Sequence, residues 1–195
     1  MDGFTYHDIF ETKGIEYLVI IGFLILLVPF WVIINKRSTV AQDIRSAIDV
    51  LTASLIRIPQ GLFYSKNHTW AHLQKSGTAK VGLDDFLMQV VGNVQVNPLK
   101  APGEQVKKGE KVAEIMQNGK RLQVVSPISG EISQTNETVI EMPEIVNRDP
   151  YYKGWIYDIK PSNWKAETNS YFLAKEASAW IKQEIDRVKD FLAVA

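Results

Sequence analysis

From Tyr17 to Ile34 the chain carries no charged side chain. At about 1.5 Å per residue that run nearly matches a hydrocarbon core of about 30 Å, so 15–35 is expected to be a transmembrane helix. Pro29 lies inside it, which membrane helices tolerate when neighbours satisfy the freed carbonyl. Tyr17 and Trp31 lie near its ends, as interface aromatics do. The pattern then changes. Within 36–60 the apolar residues Val40, Ile44, Ile48, Leu51, Leu55 and Ile58 recur at spacings of three and four, which predicts an amphipathic helix that Pro59 ends. From 61 to 165 short β-prone runs alternate with turn signals, and this predicts a mainly β barrel or sandwich with small helices. Over 166–195, Leu173, Ala177, Trp180, Ile181, Ile185, Val188, Phe191 and Leu192 fall on one face of a C-terminal helix. That face suits packing on the β domain or docking onto a partner.

Flanking charge orients the predicted span. Segment 1–14 is acidic at Asp2, Asp8 and Glu11, with Lys13 before the apolar run, whereas Lys36, Arg37 and Arg45 follow it. An acidic start and a long apolar run argue for an uncleaved anchor over a signal peptide. The positive-inside rule places the N-terminus outside and everything after Lys36 in the cytoplasm, giving a single-pass protein of the inner membrane. Lysine plus arginine and aspartate plus glutamate number 22 each, and no basic patch is interleaved with aromatics, so nucleic acid is not an expected partner. The chain contains no cysteine, which excludes disulfides, thiolate nucleophiles and cysteine-ligated clusters.

The β region centres on Val112–Ile132. Asn118-Gly119 sits between two β-prone arms, the strongest short-range signal for a two-residue hairpin. Downstream, Ser126-Pro127-Ile128-Ser129-Gly130-Glu131 breaks one strand and starts another. Tyr64-Ser-Lys66-Asn-His68-Thr-Trp70 opens the domain, Val81-Gly82-Leu83-Asp84-Asp85-Phe86 leads into a short helix, and Val91–Val96 is expected to be a strand. Val146-Asn147-Arg148-Asp149-Pro150-Tyr151 and Gly154-Trp155 close the series.

In that order and spacing these segments resemble the H protein of the glycine cleavage system. The resemblance covers about half of the chain and implies a flattened barrel-sandwich hybrid of the lipoyl type. It also implies a hairpin lysine that carries lipoate in a Glu-Ser-Val-Lys type stretch. Counted without a gap from Ser126-Pro127, Gly119 stands where that lysine would be, Met116 stands where the glutamate would be, and Lys120 follows one residue later. A one-residue shift along a strand reverses the side-chain face. Lys120 is nevertheless the only candidate for cofactor attachment.

The remaining titratable residues read as structural. His68 and His72 are four apart on what reads as a strand, too far apart to chelate a metal easily. Asp84 and Asp85 match a helix N-terminus better than an acid/base pair, and Glu141 and Glu144 flank Pro143 in a loop. No Ser/His/Asp ordering, phosphate loop or nucleotide fingerprint appears, so no catalytic or metal site is expected. The expectation is a non-catalytic accessory or scaffold subunit without cofactor, held in the bilayer among integral membrane and cytoplasmic subunits of a larger complex. A respiratory or hydrogenase-type oxidoreductase fits such an architecture. The alternatives are a membrane-tethered lipoyl carrier modified at Lys120 and a membrane-bound regulator of a soluble enzyme.

Overall fold

Period-two alternation and closely spaced turns produce nine short strands within residues 56–194. A computed structural model describes these residues together with 9–34, and the two stretches belong to separate units, Met1–Ala47 and Ile48–Ala195.

In the first unit α1 spans Ile9–Ile34 and contains Pro29. It therefore starts within the charged segment that precedes the apolar run. Its described side chains run from Tyr17 to Val32 and are exposed apart from Gly22. At about 1.5 Å per residue that stretch covers about 24 Å, against a core of about 30 Å. Among the described residues no helix is long and apolar enough to cross a membrane, so the crossing expected over 15–35 is not shown. The amphipathic helix expected over 36–60 lies outside the described residues as far as 55. The chain from Ile56 to Pro59 is not helical.

The second unit contains β1 (Phe63–Tyr64), β2 (Thr69–Leu73), β3 (Ala79–Leu83), α2 (Asp85–Val91), β4 (Gln95–Pro98), β5 (Gln105–Val106), β6 (Lys111–Gln117) and β7 (Lys120–Val125). After these come β8 (Gly130–Thr135), α3 (Thr138–Glu141), α4 (Ile145–Arg148), β9 (Trp155–Pro161), α5 (Trp164–Thr168) and α6 (Ala174–Val194). A six-stranded sheet in the order β1-β2-β3-β9-β8-β5 and a three-stranded sheet in the order β4-β6-β7 form the expected sandwich. Their inner faces meet in a core that includes Val81, Val96, Ile115, Ile128, Ile132 and Ile159. The strand expected over Val91–Val96 begins only at Gln95. Gly92 ends α2 with φ 78° while its N–H bonds to Met88 O at 2.8 Å, a helix stop that Cβ-bearing residues reach at a cost.

Two motif glycines are set by close approach. Gly82 lies opposite Trp70 across β2 and β3, and a Cβ there would stand 2.8 Å from the indole Cζ2. Trp70 is thereby buried flat on β3, with Nε1 donating to Leu83 O at 2.9 Å. Gly130 faces the backbone of β9, where a Cβ would overlap the Lys160 carbonyl.

A second cluster joins the chain before β1 to its C-terminal helix. Ile56, Leu62, Tyr64, Trp70, Phe86 and Tyr151 pack with Ala177, Trp180, Ile181 and Ile185 of α6. From Ala177 to Ile185 the predicted face is thus turned onto its own domain, and Trp180 is not available as a docking residue. Phe191 is 74% exposed. Trp180→Ala is expected to cost about 3–5 kcal/mol and Phe191→Ala less than about 0.5 kcal/mol in urea unfolding of the full chain. Equal costs would mean that α6 does not pack as described.

Candidate functional site

The hairpin of β6 and β7 is set by its turn. Asn118 and Gly119 have φ of 47° and 77°, the pair of positive values that a type I′ connection requires. The flanking residues pair Gln117 with Lys120, Met116 with Arg121, Ile115 with Leu122 and Glu114 with Gln123. The expected register is the observed one, and the apex consists of Asn118 and Gly119 alone. A Cβ built on Gly119 meets nothing within 4 Å, so space does not exclude a side chain there; only the backbone conformation disfavours one.

Lys120 is exposed and is the first residue of β7. Directly opposed residues share a sheet face, which puts Lys120 beside Gln117 on the side that Ile115 buries further along. Gln117 uses its Nε2 to reach Val91 O at the end of α2, tying the turn end of the hairpin to that helix. Arg121 is on the opposite face, 4.0 Å from Glu114. Lys111 holds the same carboxyl at 2.5 Å and keeps it below the ordinary glutamate range, chiefly by that hydrogen bond. One flank of the apex opens onto a cleft of about 700 Å³ bordered by Val94, Gln95, Met116, Asn118, Arg121 and Glu144. Its lining mixes one cation, one carboxylate and amides, and offers no nucleophile.

The other residues singled out in the sequence are spread through the fold. Asp84 caps α2, its Oδ1 accepting from Leu87 N at 2.8 Å, and His68 Nδ1 lies 2.9 Å from its Oδ2. The His68 ring stacks on Trp180 at 5.0 Å between centroids. His72 is separate from this pair, with Nδ1 3.2 Å from Gly61 O. Among the described residues no three histidine, aspartate or glutamate side chains gather as metal ligands would. Glu141 ends α3 and Glu144 precedes α4 at the cleft rim.

Asp85 has a partner that the sequence did not disclose. Arg57 Nη2 donates to its Oδ1 at 3.0 Å and the Arg57 backbone N–H to its Oδ2 at 2.8 Å. The Tyr151 hydroxyl completes the clamp, donating to Arg57 O at 2.7 Å and accepting from Asp85 N at 3.0 Å. Burial raises the pKa of this phenol, which keeps it protonated for that donation. The contacts are 28 and 94 residues apart in sequence, and no local pattern announces them.

Three comparisons bear on this geometry. The family model described as "Glycine cleavage H-protein" matches residues 62–184. A protein of Pyrococcus abyssi named "Probable glycine cleavage system H protein" is 34% identical over 126 residues, covering 65% of this chain and 93% of its own length. The glycine cleavage system H protein of Methylococcus capsulatus is 38% identical over 106 residues, 54% of this chain and 83% of its own length. The crystal structure of a glycine cleavage system H protein from Mycobacterium marinum superposes with a TM-score of 0.56 at 24% identity. It covers 63% of this chain and 98% of that one, a likeness of fold. Gly119→Ala is expected to lower unfolding free energy by about 1 kcal/mol in urea melts, from φ alone. An unchanged midpoint would show that the apex does not need its positive φ.

Proposed function

The chain belongs to the glycine cleavage H-protein family, and on that footing we propose a non-catalytic, membrane-attached scaffold subunit whose H-protein domain carries no lipoyl group. The carrying observation is the apex: Asn118 and Gly119 form the whole turn, and neither has an amine. A lipoyl arm is attached through a lysine ammonium, so the residues at this apex do not fit the group. Lys120 is the nearest amine, and it leaves the strand beside Gln117 instead of from the turn.

Membrane attachment is supported by an uncharged run from Tyr17 to Ile34 within a continuous helix whose described apolar side chains are exposed. Removing about 18 such residues from water into lipid is worth far more than a surface helix gains in solution. With the positive-inside flanks, the H-protein domain faces the cytoplasm and the helix packs among integral membrane subunits. The curated relatives named above are called glycine cleavage system H proteins. A lipoyl carrier modified at Lys120 is the second reading, and Lys120 exposure is what favours it.

Two measurements test the proposal. Incubated with a lipoate–protein ligase, lipoate and ATP, the wild-type chain is expected to take up no lipoyl group. Gly119→Lys, which restores an amine where a side chain has room, is expected to be modified. Modification of wild type that Lys120→Arg abolishes would replace the scaffold with the carrier. Detergent purification from the native membrane is expected to bring integral membrane subunits in fixed ratio, and a lone monomer would contradict the scaffold.

A further inference from the structure

The three-stranded sheet ends on β7, and the outer side of that strand is unpaired. With a two-residue turn, Gln117 and Lys120 exchange backbone hydrogen bonds, as do the pairs Ile115/Leu122 and Ala113/Val124 that follow at alternate positions. The N–H and C=O groups of Arg121 and Gln123 therefore point away from β6. Among the described residues none bonds to them, and Lys120 to Gln123 are all exposed. Two outward residues about 7 Å apart form the repeat that an added strand reads.

The side chains along this edge state what would add. Lys120 and Arg121 are cations, and Arg121 is 70% exposed, 4.0 Å from one oxygen of the Glu114 carboxyl whose other oxygen Lys111 holds. Leu122, 45% exposed, shares the face of Lys120, opposite to that of Arg121. A second copy would bring two such cation pairs together, and lysine or arginine on an edge opposes self-pairing. An extended segment with carboxylates at two consecutive positions, one for each face, and an apolar residue next to them complements the row.

We propose that the free edge of β7, Lys120 to Gln123, is the docking strand for an extended acidic segment of a partner subunit. The inference rests on the scaffold reading and names the surface that such a scaffold uses. Backbone pairing supplies affinity there, and charge selects the partner.

The test uses the full chain in detergent micelles and the peptide acetyl-Val-Thr-Val-Glu-Glu-Val-amide as probe. At saturating peptide the amides of Arg121 and Gln123 are expected to exchange about tenfold more slowly, with those of Leu122 and Val124 unchanged. The same peptide with lysine in place of glutamate should give no protection. Gln123→Pro removes one outward N–H, a change edge strands tolerate, and is expected to abolish the effect while the fold persists. Lys120→Glu with Arg121→Glu, which leaves the backbone alone, should transfer the preference to the lysine peptide. Absence of protection in wild type, or protection indifferent to the charge swap, overturns the proposal. If native subunits co-purify while the peptide gives no protection, the edge is refuted and the scaffold stands. If none co-purify, the scaffold is refuted and the peptide result alone decides the edge.

Discussion

Two consecutive residues in the left-handed region, Asn118 and Gly119, determine what the rest of this domain is able to present. Such a turn has the twist that β6 and β7 already possess, so it fixes register without strain. Once Gln117 is opposite Lys120, every other side chain on the hairpin has its face assigned. Ile115 and Val124 enter the core, Arg121 and Gln123 turn outward, and the apex is left with one amide side chain. A one-residue slip would put Lys120 into the turn but expose the buried Ile115 row, and burial of that row opposes it.

The domain holds its hairpin steady by contacts made elsewhere. Gln117 links it to α2, α2 begins at the Asp84 cap, and Asp85 beside that cap is gripped by Arg57. His68 joins the same assembly through Asp84 and stacks on Trp180, so α6 is fastened to the opening strands by aromatic contact. Arg57 and Ile56 lie before the first family-matched residue, Leu62, yet they pack or bond with residues inside the matched range such as Tyr151. The family's sandwich thus extends here by a docked N-terminal strap.

How far the sequence revealed this depends on the range of each interaction. The hairpin was readable because Asn-Gly is a local conformational demand. The Ser-Gly-Glu and Val-Gly-Leu segments were readable as motifs, but the reason for Gly130 and Gly82 needed the Lys160 carbonyl and the Trp70 ring beside them. Periodicity identified the apolar face of α6 and left open what it covers. The Arg57–Asp85 clamp was missed, since an arginine and an aspartate 28 residues apart carry no spacing signal. The expected strand over Val91–Val96 was misplaced at its start because Gly92 closes a helix there, a role that its apolar neighbours concealed.

That the domain carries no lipoyl group follows from an apex without an amine. The most direct measurement is the intact mass of the chain purified from the cells that make it. The account predicts the mass of the unmodified polypeptide, with fragments spanning 116–121 free of any adduct. A lipoyl adduct on Lys120 in that material would contradict it and make the domain a carrier.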